Sequence, residues 1–204
     1  QAVHDQHVAM HAGVDDLAQA IGAVNTVTIK KSKLYGTNTD AFGFVQNIKE
    51  MVSRQNWDWS FDDGKAVILG AGGAANAVIH ALLEEGVPEI AITNRTREKA
   101  EILTSRDVRK ITAYDWNTRN DCFKDANLII NCSALGMAGN AALEVDLKSA
   151  PDHALVTDIV YAPLYTDLLT QAKARHLRAV TGIGMLLQQA RPGFELWNGV
   201  MPEV

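Results

Sequence analysis

From Lys65 onward the chain alternates between short, unbroken apolar runs and longer stretches in which apolar residues recur every three or four positions. Such runs fall at residues 66–69, 128–130 and 154–156, and further strand candidates, each with a polar residue, at 90–93, 110–113 and 178–180. Unbroken runs, rather than in-out alternation, are what strands buried on both faces require. After the first run, Val78, Ile79, Leu82 and Leu83 mark a helix reaching Gly86. A polar helix starts near Thr96 and a last helix near Gly184. Strands alternating with helices over about 120 residues predict an α/β fold with a doubly wound parallel sheet. Pro192-Gly193 predicts a kink or interruption of the last helix, because proline removes a backbone donor and clashes with the preceding turn.

Upstream the pattern differs. Residues 1–20 have helical spacing and end near Gly22. Two alternating runs, 23–29 and 33–37, flank a polar Lys30-Lys31-Ser32 turn and predict a hairpin. Past Asp40, the spacing of Phe42, Val45, Ile48 and Met51 predicts a helix to about Arg54. Residues 55–64 have no period and form a junction.

Gly70-Ala71-Gly72-Gly73-Ala74-Ala75 lies between a predicted strand and a predicted helix, and fits G-x-G-x-x-A through Gly70, Gly72 and Ala75. In that setting the first glycine permits a tight turn, the second lets backbone approach a pyrophosphate, and the small third residue lets helix and strand pack closely. The helix amino terminus then offers free N–H groups to phosphate. The next strand ends at Asn94-Arg95-Thr96, with Lys99 following. An NAD site places an acid there for the ribose 2′-hydroxyl. Arg95 instead suits a 2′-phosphate, as a planar fork, with Lys99 as a point charge. NADP is the expected cofactor.

Gly22-Ala23-Val24-Asn25-Thr26, Asn38-Thr39-Asp40, the glycine loop, Asn94-Arg95-Thr96, Asp158-Ile159-Val160-Tyr161 and Gly182-Ile183-Gly184-Met185-Leu186 with Gln189 occur in the order of the shikimate dehydrogenase signatures. The chain resembles that family along essentially its whole length. The resemblance implies reversible, NADP-dependent reduction of 3-dehydroshikimate to shikimate in aromatic amino acid biosynthesis. It implies a Rossmann-like NADP-binding domain over residues 61–183. Part of a second α/β substrate domain would span residues 1–60, with residues 184–204 returning to it as a helix. By the same resemblance Asn25, Asp40, Tyr161 and Gln189 bind the substrate, and Asp40 shares acid/base duty with a lysine. Gly70, Ala71, Gly72, Gly73 and Ala74 hold the pyrophosphate, Asn94, Arg95, Thr96 and Lys99 the 2′-phosphate. Ile159, Gly182 and Met185 line the nicotinamide.

One departure changes the expectation. The family's lysine and a serine pair for the substrate carboxylate lie ahead of the segment matching Gln1, and Lys30, Lys31 and Lys33 fall on the wrong side of Asn25 to replace the lysine. The chain therefore reads as a fragment that binds NADP with little or no turnover. Quinate as substrate, NAD alongside NADP, and a non-catalytic NADP-binding module remain alternatives.

Other residues have plainer readings. Asp40 before Ala41-Phe42 suits a helix cap as well as a substrate contact. Imidazoles at His4, His7 and His11, with Asp5, share a face if helical, but a metal needs several converging ligands with a supporting shell, so a solvated face and no metal are expected. Trp57, Trp59 and Trp116 are expected to anchor loops, and Phe194 and Trp197 to pack the last helix.

Composition narrows the partners. The 204 residues are 47% hydrophobic and 21% charged, as in ordinary globular proteins. A formal charge of -5 supplies no positive field for nucleic acid. No apolar run reaches membrane-spanning length. Cys122 and Cys132 form no zinc or redox motif. A cytoplasmic monomer or homodimer acting on a small molecule is the expectation.

Overall fold

Two sheets of different character organise residues 11–204, which are the residues described by the computed structural model. The smaller has three strands, β1 (His11–Val14), β2 (Thr26–Lys30) and β3 (Lys33–Thr37), in the order β1-β3-β2. The expected hairpin is β2-β3, antiparallel with Thr28 opposite Tyr35. Its turn residues Lys31 and Ser32 both have positive φ, 49° and 61°, the twist that a two-residue hairpin loop needs.

The helix expected over residues 1–20 is corrected over residues 11–15, and residues 1–10 lie outside the described residues. Residues 11–14 form β1, which pairs in parallel with β3. Among the described residues of that stretch, helix is confined to α1 (Asp16–Ile21), where the Asp15 side chain accepts from the Ala18 N–H at 2.8 Å and Gly22, at φ 76°, ends the turn. Non-local backbone pairing along β3 outweighs the local period here, as tertiary context commonly does. His4, Asp5 and His7 lie outside the described residues.

The polypeptide next forms α2 (Asp40–Gln55), then β4 (Lys65–Leu69), α3 (Gly73–Glu84), β5 (Ile90–Thr93), α4 (Arg97–Thr104) and β6 (Ile111–Tyr114). It continues through β7 (Ala126–Asn131), β8 (Leu155–Asp158), α5 (Asp167–Ala174), β9 (Arg178–Val180) and α6 (Gly182–Asn198). Strands β4 to β9 make one parallel sheet ordered β6-β5-β4-β7-β8-β9. This is the doubly wound Rossmann-like arrangement, with the order reversing between β4 and β7.

Alternate side chains of each strand enter different clusters. Ala66, Ile68, Ile90, Ile92, Leu128 and Ile130 pack with α2 and α3 residues such as Phe44, Ile48, Val78 and Leu82. Val67, Leu69, Ala91, Ile129 and Val156 pack on the opposite face with Phe123, Leu168 and Leu169. Both faces of the central strands are covered, which is why β4, β7 and β8 read as unbroken apolar runs. The junction is tied down by Trp59, whose indole N–H donates to the Asn127 carbonyl at 3.2 Å and whose ring meets Phe61 edge-on at 5.0 Å.

Helix α6 begins two residues earlier than expected and runs through Pro192 without the expected interruption. Its packing against α2 holds it across the lost hydrogen bond. Glycines make that packing close. A Cβ on Gly184 would lie 1.9 Å from Asn47 Oδ1, and one on Gly43 would lie 2.7 Å from the Gln189 Cβ and 2.8 Å from the Met185 carbonyl oxygen. Phe194 and Trp197 do not bury themselves against this helix, remaining 42% and 64% exposed, although the Trp197 indole reaches the Val27 carbonyl at 3.4 Å. A guanidinium links the two sheets: Arg106, just past α4, donates to the carbonyls of Ala20 and Ile21 and to Asn76 Oδ1 in α3. Among the described residues, no helix is long and apolar enough to cross a membrane.

Candidate active site

The glycine loop leaves β4 where the strand order reverses, the place at which open parallel sheets bind ligands. Gly70 has φ +109°, and a Cβ there would lie 2.9 Å from the Ser133 backbone nitrogen. No other residue type meets both the conformation and the close approach. Its N–H donates to the Thr93 carbonyl at 2.8 Å, and the Cys132 N–H donates to the Leu69 carbonyl at 2.8 Å, so three strand ends are drawn together. Gly73 opens α3, with Gly72 as its cap. Among the described residues the N–H groups of Gly73 and Ala74 have no backbone partner, as at a helix start, whereas the Ala75 N–H donates to the Gly72 carbonyl at 3.1 Å. Ala71 differs, since its N–H is held by Asn94 Oδ1 at 3.1 Å while Asn94 Nδ2 donates to the Thr96 carbonyl at 2.7 Å. Asn94 therefore clamps the two loops that the sequence assigned to separate phosphates.

A cavity of about 240 Å³ opens beside Gly70 and contains Asn94 and Arg95 in its wall. Arg95 is exposed and has no carboxylate partner among the described residues, whereas neighbouring Arg97 pairs with Glu101 at 2.8 Å. Gly72, Gly73, Ala74, Thr96 and Lys99 surround the loop or the start of α4 but do not line this cavity. Trp116, Ser133, Leu135 and Asn140 do, and the sequence did not single them out as ligand-facing. The available signal was topological: Ser133 follows β7, the strand across the reversal from β4.

A buried polar network fixes the Ser133 wall. Asn131 Oδ1 accepts from the Ser133 N–H at 3.0 Å and its hydroxyl at 2.7 Å, and Asn131 Nδ2 donates to Asp158 Oδ1 at 3.0 Å. Asp158 also accepts from the Val160 N–H at 2.9 Å and the Thr166 hydroxyl at 2.7 Å. Burial pushes the Asp158 carboxyl above the usual carboxylate range, against the opposing pull of these hydrogen bonds. Burial, with the nearby Asp158, also raises the Cys132 thiol far out of its reactive range.

The expected substrate residues form a second group. Asn25 Nδ2 donates to Asp40 Oδ1 at 2.8 Å, while Asn25 Oδ1 accepts from the Thr39 N–H at 3.0 Å and the Thr26 hydroxyl at 3.0 Å. Asp40 is not the helix cap. It is the first residue of α2, and Thr39 precedes it without a side-chain cap bond. The Asp40 N–H is instead held by Asn38 Oδ1 at 2.9 Å, which frees the carboxylate to turn toward Asn25. Gln189 lies on α6 against Gly43, one turn into α2 from Asp40. Gly182 sits on the Ile159 backbone, where a Cβ would come within 2.7 Å of its carbonyl, and Met185 shares a packed cluster with Ile159. Tyr161 is 48% exposed beyond β8.

Comparison with known proteins identifies the family and the fold. The sequence model of the shikimate / quinate 5-dehydrogenase family matches residues 51–160. A shikimate dehydrogenase (NADP(+)) from Dinoroseobacter shibae is 46% identical over 192 residues, covering 94% of this chain and 68% of the relative. The structure of shikimate 5-dehydrogenase from Thermus thermophilus in complex with NADP(H) and shikimate superposes with a TM-score of 0.79 at 33% identity, covering 97% of this chain and 70% of that one. Quinate dehydrogenase from Corynebacterium glutamicum in complex with NAD gives 0.86 at 28% identity over 97% of this chain and 70% of that one. With the glycine loop at the strand reversal and the paired Asn25 and Asp40 ahead of it in sequence order, the chain belongs to the shikimate / quinate dehydrogenase family of oxidoreductases.

Proposed function

We propose that the chain binds NADP and contributes to the reversible reduction of 3-dehydroshikimate to shikimate. The observation that carries this reading is the cavity at the strand reversal, closed by Gly70 and bordered by Arg95 where an NAD site would present an acid. The loop fits a pyrophosphate because Gly70 leaves space that a Cβ would fill, and the start of α3 supplies unpaired N–H groups. Arg95, with Thr96 and Lys99 beside it, would hold the 2′-phosphate, and Ile159, Gly182 and Met185 the nicotinamide. When bound, NADPH supplies the hydride that reduces the ring carbonyl.

The remaining work falls to side chains. Asn25 and Asp40 would bind ring hydroxyls, with Tyr161 and Gln189 closing the opposite side. Asp40 would exchange the proton at the reacting oxygen, its orientation fixed by the 2.8 Å bond from Asn25. In this reading residues 61–183 form the cofactor domain, and residues 1–60 with 184–204 belong to the substrate domain. No lysine precedes Asn25 in these 204 residues, the first being Lys30, so Asp40 has no lysine from that stretch with which to share proton transfer. The 204-residue chain alone should therefore bind NADPH and oxidise shikimate at a small fraction of family rates.

Titration calorimetry with NADPH and NADH tests the first part: no uptake by folded protein, or a preference for NADH, would overturn it. Initial rates for shikimate and quinate with both cofactors, in a chain extended to the length of its relatives, test the second. Quinate is the second reading, favoured by the close superposition on quinate dehydrogenase. NADPH affinity without substrate-linked turnover in the extended chain would instead mark a non-catalytic module.

A further inference from the structure

We infer that Trp116 forms the adenine-binding wall of the cofactor cleft, a role that rests on the NADP reading above. The cavity brings Gly70, Asn94, Arg95, Trp116, Ser133 and Asn140 together in about 240 Å³. Whole small-molecule sites commonly occupy about 300–1,000 Å³, so this one accommodates a portion of a dinucleotide. Its borders identify the portion. Gly70 marks the pyrophosphate side and Arg95 the 2′-phosphate side, and the group attached to a ribose between those two anchors is the adenine. A purine base gains most from a flat aromatic surface, and Trp116 is the aromatic side chain in the lining.

Trp116 is also held in advance of any ligand. It follows β6 and opens a 3-10 turn, Trp116–Phe123, where the Asp115 side chain accepts from the Asn117 N–H at 2.8 Å. The Arg119 guanidinium lies 4.7 Å from the centre of the indole ring, donates to the Trp116 carbonyl at 2.8 Å, and donates from Nε to the Glu144 carbonyl at 3.0 Å. The cation lies over the ring, and the partly buried side chain packs against the cluster that contains Phe123. A fixed indole loses little rotamer freedom on binding, which favours a recognition role. Arg95 and Trp116 would then divide the adenosine half between them, one reading the phosphate and the other the base.

The test uses the 204-residue chain and 2′,5′-ADP, which has the adenosine 2′-phosphate end and no nicotinamide. Calorimetry on Trp116→Phe, Trp116→Leu and the parent, with melting temperature recorded for each, separates a base contact from a loop anchor. Base–aromatic contacts of the usual strength predict roughly ten-fold weaker 2′,5′-ADP and NADPH binding in Trp116→Leu, with most of the affinity kept in Trp116→Phe. Parent tryptophan fluorescence should be quenched by 2′,5′-ADP, and that part of the quenching should vanish in Trp116→Phe. Affinity in Trp116→Leu within about two-fold of the parent, even with a lowered melting temperature, would overturn the inference and leave Trp116 a loop anchor. Absence of any 2′,5′-ADP or NADPH binding by the folded parent would instead remove the NADP reading and this inference with it.

Discussion

The two sheets handle water in opposite ways. In the large sheet, Ile68, Ile92 and Ile130 are fully buried, and the phosphate loop at its carboxyl edge is shaped by backbone: a glycine turn, a helix start and a strand end. In the small sheet, Val27, Ile29 and Tyr35 stand 43%, 72% and 40% exposed, and the site beside it is a pair of side chains, Asn25 and Asp40. A backbone site is pre-shaped by the sheet that carries it. A side-chain site on a half-covered sheet has to be shaped by its own hydrogen bonds.

The sharpest break of this comparison is Gly70→Ala. The left-handed φ and the 2.9 Å approach to Ser133 N leave no place for a methyl group. Backbone strain of about 1–3 kcal/mol, with the clash added, should abolish measurable NADPH binding and lower the melting temperature by several degrees. Gly184→Ala comes next. The new methyl would strike Asn47 Oδ1, whose Nδ2 is bonded to the Thr181 carbonyl at 2.9 Å, so α2 and α6 must separate. Urea denaturation should show a loss of about 2 kcal/mol, typical of overpacking, and Asn47→Ala in the same chain should recover part of it.

A smaller effect concerns Asp158. Because burial raises its native pKa, the folded state holds this proton more tightly than the unfolded state over the window that opens at the ordinary value of 3.8. More protons bound in the native state make stability fall as pH rises through that window. The urea midpoint of the parent, compared with that of Asp158→Asn, should show a negative contribution that the variant lacks. A parallel pH dependence in the two proteins would contradict this assignment. At the small end is Ile29→Thr on the exposed face of β2, expected to change stability by less than about 0.5 kcal/mol. A large loss there would show that this face is covered in solution.

The large sheet was legible in the sequence for a physical reason. Strands buried on both sides must be apolar, and the central β4, β7 and β8 left unbroken runs, while the edge strands β6 and β9 left shorter segments that include Thr112 and Arg178. Gly70 and Arg95 were legible because their positions at strand ends are fixed by the same runs. β1 was not, since residues 11–14 owe their conformation to β3, whose paired positions 34–36 lie far along the chain, while their own spacing suits a helix. Ser133, Asn140 and Trp116 were missed because loops acquire ligand-facing walls only when neighbouring strands are in register. Asn25 and Asp40 were named from a motif; their direct bond, across 15 positions, required the fold.

Arg106 carries a consequence for how the protein comes apart. Helix α1 has six residues, too few to persist alone in water, and its terminal carbonyls at Ala20 and Ile21 are satisfied by a guanidinium 86 and 85 positions away. The same guanidinium grips Asn76 in the helix that begins at the glycine loop. Loosening either end releases the other, so heating should melt the hairpin region and the nucleotide fold in one cooperative transition rather than in two steps.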